Sequence, residues 1–386
     1  MKKVRDYLYI VLFCGILLFF GICNVDIIGK AAGRLGTEPV EKTIVELNSD
    51  YNDGFFGKYA FINVNGLVHR LFDQRSMNDV VKLDNGYLAE VMPAVDAEVQ
   101  AEETIKLADM LAAQDIPFLY VQVPYKISKY DEALPISVKD SSNDNADELV
   151  TRLSEGGVPV LDLREWFYEE GFNQYDLFFK TDHHWTPDAA FLAYTEIVTV
   201  MEENWGISIE DVYTLRENYK EEVYEDWFLG SRGKRTGIYY GGVDDITLLY
   251  PAFETQMTLS VPSEGIFRTG SFKETIFDYS NIEEKDYFLK NPYHAYIGDE
   301  YPLVQHENTQ APVDKKLLIV KDSFTLPVQA FLSSCFTEID VLDLRLYEEM
   351  SLCDYIEKTK PDMVMVMYNP YMLWEENAFA FGVEEE

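Results

Sequence analysis

The residues best suited to covalent chemistry in this chain lie around its scarce histidines. Only 5 histidines occur among 386 residues, and two of them, His183 and His184, are adjacent. Asp182 directly precedes the pair, and Thr186-Pro187-Asp188 follows it with the residue types that begin a helix. A carboxylate two residues from a histidine, on a loop that leads into a helix, can orient the imidazole and stabilise its protonated form. Such pairs also occur in surface loops and helix caps, so spacing alone leaves both interpretations open.

A serine late in the chain is the candidate nucleophile. Leu317–Val320 is a short continuous apolar run, typical of a strand buried on both faces, and Asp322-Ser323 follows it closely. A serine at the carboxyl end of a parallel strand lies where open α/β sheets place their ligand crevice. The helix predicted to follow can direct its N-terminal amides at a developing oxyanion. The alternative is that Ser323 only caps that helix.

A metal centre is another use for such residues. Asp182, His183 and His184 are possible zinc ligands, and His294 and His306 are conceivable distant ones. Adjacent side chains usually point apart, and the sequence has no His-x3-His or closely spaced cysteine pair to complete a site. We therefore predict neither a metal nor another cofactor.

Apolar patterns along the chain predict the elements that position these residues. Strand-like runs and helical periodicities alternate from about residue 105, which favours an α/β fold with a parallel sheet between helix layers. The predicted strands are 118–123, 158–163, 317–320, 339–342 and 363–367, and the predicted helices are 105–112, 146–153, 187–198, 326–335 and 348–358. Residues 205–302 have weak periodicity and many Tyr, Glu, Gly and Thr residues, which predicts a β and loop insertion near the active face.

The N-terminus predicts export. Basic residues at positions 2, 3 and 5 precede an apolar run from Tyr7 to Cys23, which is just long enough as a helix to cross a hydrocarbon core of about 30 Å. This charge distribution predicts a single-pass protein of the cell membrane, with its N-terminus inside and the chain from about residue 30 outside the cytoplasm. We predict an uncleaved anchor over residues 1–29. A cleaved signal peptide is the alternative, because Gly29-Lys30-Ala31 resembles a cleavage pattern.

The rest of the chain divides into an arm and a main domain. Residues 30–75 have mixed composition, with turn signals at Asn52-Asp53-Gly54 and Asn65-Gly66, and we interpret them as an arm or linker. Residues 76–386 then form the main domain. Its cysteines, Cys335 and Cys353, are too few for a disulfide framework, so they either pair or remain as buried thiols, and buried thiols are favoured.

Composition excludes one class of partner. With 68 acidic and 32 basic residues, the formal net charge is −36, which repels the phosphate backbone of nucleic acids. A hydrophobic content of 47% is ample for a folded core. Attachment to an anionic membrane surface therefore depends on the N-terminal helix and not on charge.

The two motifs resemble those of a known family. The segment 178–186, with Asp-His-His-Trp at its centre, resembles the signature of the DHHW proteins and is similar to the Asp-x-His-Trp motif of the alginate O-acetylation proteins AlgX and AlgJ. The segment 321–324 resembles the serine motif of the same group, and Asp343-Leu344-Arg345 follows at the distance seen there. Smaller similarities are Val123-Pro124-Tyr125-Lys126, Phe228-Leu229-Gly230-Ser231 and Pro361-Asp362-Met363. The resemblance runs from about residue 55 to 370.

This resemblance implies an SGNH hydrolase-like three-layer α/β/α sandwich, circularly permuted so that the serine motif follows the Asp-x-His motif. It also implies that Ser323 is the nucleophile, His184 the general base and Asp182 the partner that orients the base. The Gly and Asn of an SGNH oxyanion hole are not recognisable, so Gly230 and Asn369 join the Ser323 amide only as candidates. The candidates for lining or supporting the site are Tyr125, Lys126 and Arg345, and for Arg345 a buried ion pair with Asp343 is an equal alternative.

The implied function is transfer or removal of acyl groups, most simply acetyl, on a cell-envelope or secreted polysaccharide. The relatives named above assist O-acetylation, which favours a transferase over an esterase. A transferase needs a donor, and a membrane-bound acyltransferase partner would bring acetyl groups across the bilayer. The alternative is a non-catalytic envelope protein that binds carbohydrate or assists assembly, although a binding module has no need of all three of Asp182, His184 and Ser323.

Overall fold

The computed structural model describes residues 2–35 and 37–383, so residues 384–386 of the predicted main domain lie outside the described residues. The described helices are α1 Lys2–Cys23, α2 Val25–Arg34, α3 Val40–Gly54, α4 Lys58–Leu71, α5 Glu98–Ala112, α6 Ser142–Glu155, α7 Leu163–Glu169, α8 Pro187–Trp205, α9 Asp211–Thr214, α10 Ser231–Thr236, α11 Ile238–Gly241, α12 Phe272–Ile276, α13 Thr325–Leu332 and α14 Leu352–Thr359. The described strands are β1 Ser76–Met77, β2 Val80–Lys82, β3 Leu88–Ala89, β4 Phe118–Gln122, β5 Val160–Asp162, β6 Tyr219–Phe228, β7 Asp244–Pro251, β8 Met257–Val261, β9 Ile266–Gly270, β10 Leu303–Glu307, β11 Val313–Lys321, β12 Phe336–Leu342 and β13 Met363–Tyr368.

A central sheet of eight strands organises the fold, in the order β5-β4-β13-β11-β12-β10-β8-β9. The strands from β5 to β12 in this order pair in parallel. Both β4 and β13 are buried along their whole length, which explains why they are continuous apolar runs in the sequence.

Alternate side chains of the central strands enter two separate cores. Leu119 and Val121 pack with α8 and α13 on one face of the sheet, whereas Phe118 and Tyr120 pack with α5, α6 and α14 on the other. This alternation is the two-residue period of a strand. The predicted α/β/α layering is therefore confirmed.

The five predicted strands pair in parallel, but the sheet continues at one edge with antiparallel strands. β10 pairs antiparallel with β12 and β8, and β8 pairs antiparallel with β9. Residues 262–265 connect β8 to β9, and such a short turn can join only antiparallel strands. Part of the predicted insertion thus extends the main sheet, while β6 and β7 form a separate two-stranded ribbon.

Helix α1 matches the predicted apolar segment. Its window Asp6–Cys23 has a mean hydropathy of 2.2, and none of that window is buried by the rest of the protein. Among the described helices this is the one long and apolar enough to cross a membrane. An N-terminal signal sequence has the same properties.

The predicted arm is largely helical, and the turn expected at Asn65-Gly66 is wrong. Gly66 lies inside α4, where a Cβ atom would come within 2.1 Å of the carbonyl oxygen of Thr236. The side-chain oxygen of Asn63 accepts a hydrogen bond from the amide of Ile238 at 2.9 Å. Glycine at position 66 therefore permits close packing of α4 against α10 and α11 and does not form a turn. The extent of each domain stays a prediction.

The two cysteines of the main domain are free thiols. Cys335 is buried, and its Sγ lies 3.0 Å from the hydroxyl of Tyr194. Burial raises the pKa of the Cys335 thiol to about 12, so this thiol stays protonated. Cys353 is half-buried on α14.

Candidate active site

Ser323 lies at the carboxyl end of a central parallel strand, as the sequence predicts. β11 ends at Lys321 and lies between β13 and β12, in the middle of the sheet. The following helix α13 begins at Thr325, with Phe324 and not Ser323 at its cap position. The helix-cap alternative for Ser323 is therefore wrong, and its hydroxyl is free for another use.

His184 is carried by a loop that is closed by local hydrogen bonds. The amide of Phe179 donates to the carbonyl of His184 at 3.2 Å, and the amide of Thr186 donates to the carbonyl of Leu177 at 2.8 Å. The hydroxyl of Thr186 accepts from the amide of Ala189 and caps α8, as predicted. The loop is therefore fixed at both ends before it meets Ser323.

The tertiary fold brings Asp182, His184 and Ser323 into one chain of hydrogen bonds. Nε2 of His184 lies 2.7 Å from Oγ of Ser323, and Nδ1 of His184 lies 2.6 Å from Oδ1 of Asp182. All three residues are buried, with 3 to 5% of their surface exposed. This is the geometry in which an imidazole can take a proton from a serine while a carboxylate stabilises the resulting imidazolium.

The carboxylate of Asp182 is held in its ionised form. Burial acts against ionisation, but His183, His184 and the amide of Ser231 together hold the pKa of this carboxyl well below its ordinary value. Its Oδ1 also accepts from the amide of His184 at 3.0 Å, and its Oδ2 accepts from the amide of Ser231 at 2.6 Å. Both oxygens are thus satisfied, and the side chain has one orientation.

His183 lies beside the triad and faces the same cleft. Its Nδ1 lies 2.9 Å from Oγ of Ser231. Burial, together with the nearby His184, lowers its pKa well below the ordinary value for histidine, so the ring is neutral near pH 7. Asp182, His183 and His184 bring possible ligand atoms within 4.8 Å of one another, but Asp182 and His184 already use theirs in the triad.

The other two histidines weighed as distant metal ligands lie elsewhere. Nε2 of His306 lies 3.4 Å from Oε1 of Gln329 in the core, and Nδ1 of His294 lies 3.0 Å from Oδ1 of Asp299. Each has a local partner, so neither completes a metal site with the loop of Asp182.

A cleft of about 340 Å³ gives access to Ser323. Its lining is mainly polar and contains arginines, glutamates and aromatic rings. The lining residues are Glu90, Tyr125, His183, Arg232, Arg235, Glu300, Ser323, Phe324, Arg345, Asn369, Tyr371 and Met372.

Gly230 packs against Asp182 outside the cleft lining and does not offer an oxyanion donor. Its amide already donates to Oγ1 of Thr181 at 2.9 Å. A Cβ atom at this position would lie 2.2 Å from Cβ of Asp182, so only glycine lets the two segments approach. The candidate role of Gly230 in the oxyanion hole is therefore wrong.

Asn369, the second oxyanion candidate, lines the cleft with Ser323. Its backbone amide and its side-chain Nδ2 both donate to Oδ2 of Asp322 at 2.7 Å. Burial raises the pKa of Asp322, which lies directly before the serine. Because a primary amide has two N–H groups, one N–H of Asn369 is not used by Asp322.

Tyr125 and Lys126 are neighbours in the sequence but lie in different parts of the site. Tyr125 lines the cleft, and its hydroxyl donates to the carbonyl of Glu90 at 2.8 Å. Lys126 is buried beneath the loop of Asp182, where its Nζ donates to the carbonyls of Lys180 at 2.8 Å and Asp182 at 2.6 Å. Burial lowers the pKa of Lys126 to about 7. Lys126 therefore supports the loop and does not line the cleft.

Replacing Lys126 with methionine should weaken catalysis and change the pH dependence of stability. The variant loses the donor to the buried carbonyl of Asp182, which costs about 1–3 kcal/mol, but it also avoids the cost of about 2 kcal/mol for deprotonating Lys126 on folding at pH 9. From pH 9 to 7 the unfolded chain keeps this proton, whereas the folded state, with a pKa of about 7, binds it only weakly. The stability of the wild type should therefore fall by about 2 kcal/mol relative to the variant over this range.

Urea denaturation at pH 7 and 9 measures this difference, and kcat for ester cleavage should fall roughly tenfold because Asp182 is less well held. Lys129→Met is the control, since Lys129 bonds Asp147 and Glu165 outside the cleft lining. A pH-independent difference, or equal losses of kcat in both variants, would contradict the assignment of Lys126.

Arg345 lies at the cleft wall and forms the ion pair with Asp343 that was weighed in the sequence. It lines the cleft, and its guanidinium bonds both carboxylate oxygens of Asp343, at 2.9 and 2.6 Å. The same group bonds Glu300 at 2.6 Å, and Asp343 also pairs with buried Lys321 at 3.1 Å. The guanidinium is therefore held rigidly at the cleft wall.

The sequence analysis missed the contribution of α10. Ser231 and Arg232 open this helix, and Arg232 bonds Glu90 at 2.8 Å on the cleft wall. The only signal was Phe228-Leu229-Gly230-Ser231, one of the smaller similarities to the DHHW group. That motif ends at Ser231 and does not include Arg232.

Residues 87–223 match the model of a family described as the SGNH hydrolase-like domain of the acetyltransferase AlgX. This match includes Asp182 and His184, and its last residue precedes Ser323 by a hundred residues. This part of the chain is similar to an SGNH hydrolase-like domain. No curated protein matches the sequence.

Solved structures support the same fold for this chain. PatB1 of Bacillus cereus is 22% identical with a TM-score of 0.66, and the alignment covers 78% of this chain and 99% of PatB1. PatB1 with a sulfonyl adduct gives 21% identity and a TM-score of 0.64 over the same shares of the two chains. A DHHW family protein of Eubacterium siraeum is 20% identical with a TM-score of 0.56, over 78% of this chain and 93% of that protein. The resemblance noted in the sequence is thus confirmed.

Proposed function

We propose that this protein is an extracytoplasmic O-acetyltransferase that modifies hydroxyl groups of a cell-envelope or secreted polysaccharide through an acyl-serine. The observation that carries the proposal is the unbroken contact from Asp182 through His184 to Ser323 at the wall of a cleft. A carbohydrate-binding module needs no such contact, because a nucleophile and a base add nothing to affinity.

The chemistry follows from the two hydrogen bonds of His184. As Oγ of Ser323 attacks the carbonyl carbon of the donor ester, its proton passes to Nε2 of His184, and Asp182 stabilises the imidazolium. The donor's leaving oxygen then takes that proton as its bond to the acyl carbon breaks. An acceptor hydroxyl next gives its proton to His184 and attacks the acyl group, and the proton returns to Oγ as Ser323 leaves. With water in place of the sugar, the same steps give ester hydrolysis.

Asn369 and the amide of Ser323 are the proposed oxyanion donors. Asn369 lies on the cleft wall, Asp322 holds it through two hydrogen bonds, and one of its N–H groups is not used there. A donor that is fixed before the reaction can stabilise the tetrahedral oxyanion without reorganisation. Asp322 is then the residue that orients Asn369.

Helix α1 supports the membrane part of the proposal. Its length and composition fit a single anchor with the N-terminus inside and the catalytic domain outside. Because one span offers no route for an acetyl group, the proposal includes a membrane-bound acyltransferase partner as the source of acetyl groups.

The test is capture of the acyl-serine. The full chain in detergent is incubated with p-nitrophenyl acetate, with and without oligosaccharide acceptors, and its peptides are analysed by mass spectrometry. We expect p-nitrophenol release, an acetyl group on Ser323 and acetylated sugar. Acetyl-Ser323 with only acetate as product would indicate an esterase, and a folded wild type with neither turnover nor adduct would favour the carbohydrate-binding alternative.

A further inference from the structure

The imidazole of His184 is covered on its faces by two other rings. The ring of Tyr293 is stacked on it, with centroids 3.9 Å apart and planes inclined by 9°. The ring of His183 lies 3.7 Å away with an inclination of 37°. Rings at these distances would overlap on the same face, so Tyr293 and His183 cover opposite faces of His184.

The two hydrogen bonds of the His184 imidazole leave the ring free to rotate about one axis. The bonds from Nδ1 to Asp182 and from Nε2 to Ser323 fix the ring within its plane. A tilt about the line that joins the two nitrogens changes the direction of neither bond very much. Contacts on the faces of the ring are what restrict that tilt.

We propose that Tyr293 is a positioning residue for His184, holding the imidazole against tilting and stabilising its protonated form during acyl transfer. This inference rests on the proposed function of the triad. Tyr293 belongs to the short 3-10 helix Pro292–Ala295 of the insertion, so the insertion takes part in the catalytic arrangement. A cation over the face of a tyrosine ring is attracted by the ring's negative charge distribution, most strongly away from water.

Tyr293 also contacts the nucleophile's own backbone. Its hydroxyl donates to the carbonyl of Ser323 at 3.3 Å, with the carbonyl of Phe324 at 3.5 Å. The residue is completely buried, and burial raises its pKa well above the ordinary value for tyrosine, so the hydroxyl remains a donor. One side chain therefore touches both the base and the segment that carries the serine.

The charges around the two adjacent imidazoles favour His184 over His183 as the acceptor of the Ser323 proton. His183 on the opposite face is neutral, because burial and the adjacent ring disfavour a second cation. Asp182 hydrogen-bonds only one of the two rings closely, at 2.6 Å for His184 against 3.5 Å for His183. The other titratable or charged groups that act on this cluster include Lys126, Arg232, Lys234, Tyr296 and Asp322.

Two substitutions separate the ring of Tyr293 from its hydroxyl. Tyr293→Phe keeps the stacked ring and loses the bond to Ser323, whereas Tyr293→Leu loses the ring. For p-nitrophenyl acetate cleavage by the full chain, we expect kcat to fall at least tenfold in Tyr293→Leu and less than threefold in Tyr293→Phe. The acidic limb of the pH–rate profile should move to lower pH in Tyr293→Leu only, because its imidazolium is less stable.

Phe277→Leu is the matched control. Phe277 is a buried aromatic residue of the same insertion that packs on Phe272, Tyr279 and Tyr296. It should lose stability without a shift of the pH profile. The inference is overturned if Tyr293→Leu, at an equal folded fraction, keeps the wild-type kcat and profile, or if Phe277→Leu changes both equally.

The rate at which a sulfonyl fluoride labels Ser323 is a second measurement. It distinguishes failure of this inference from failure of the proposed function. A folded wild type that neither cleaves the ester nor becomes labelled would overturn the proposed function itself. A wild type that reacts, with Tyr293→Leu labelled at the same rate, would overturn only the role of Tyr293. Slower labelling in Tyr293→Leu alone supports it.

Discussion

Ser323→Ala should lower kcat for ester cleavage by roughly 10⁴-fold or more and abolish the acetyl adduct on residue 323, because the proposed acyl-enzyme forms on Oγ of Ser323. Folding should be nearly unchanged, since among residues 2–35 and 37–383 the hydroxyl of Ser323 has one hydrogen bond, to Nε2 of His184. A rate assay with p-nitrophenyl acetate and a thermal denaturation of the same preparation measure both effects. His184→Ala combined with Ser323→Ala should be no slower than either single variant, because the two residues act as a unit.

Ser333→Ala is the matched control for this serine. Ser333 is also buried and lies at the C-terminal end of α13, the helix that follows Ser323, but its hydroxyl donates to the carbonyl of Ala330 at 2.7 Å and does not contact the cleft. It should keep the wild-type kcat. If Ser323→Ala retained more than about a hundredth of the wild-type rate, the nucleophile would have to be another residue.

Asp182→Asn should lower kcat by roughly 10³- to 10⁴-fold while leaving the protein folded. The two carboxylate oxygens accept from three N–H groups, those of His184 Nδ1, the His184 amide and the Ser231 amide. An amide has only one oxygen, so its NH₂ group must face either the imidazole or the amide of Ser231. In the first case His184 takes the wrong tautomer, and in the second the amide of Ser231 loses its acceptor.

The measurement for Asp182→Asn is kcat across pH 5 to 9 together with the free energy of unfolding, which should fall by about 1–3 kcal/mol. Asp162→Asn is the control, because Asp162 caps α7 and bonds Arg164 away from the cleft. It should lose stability without a comparable loss of kcat. A similar loss of kcat in both variants would mean that Asp182 acts only through the fold.

The sequence predicted the local parts of the site well. Asp182-His183-His184 before a capped helix and Ser323 after a buried strand are patterns of a few neighbouring residues, and the structure places them as expected. The layers of the fold were also predictable, because strands buried on both faces are continuous apolar runs. The antiparallel edge was missed, because β8 and β9 lie in a segment with weak periodicity.

What the sequence determines by itself is therefore the alternation of elements and which of them carry a base and a serine, since these depend on contacts between near neighbours. Only the tertiary structure decides that His184 meets Ser323, 139 residues away. It also decides that Gly230 serves to let α10 approach Asp182, that Lys126 lies beneath the loop, and that Tyr293 covers the imidazole. These contacts join segments far apart in the chain, and no local pattern of residues records which distant side chain will fill a given space.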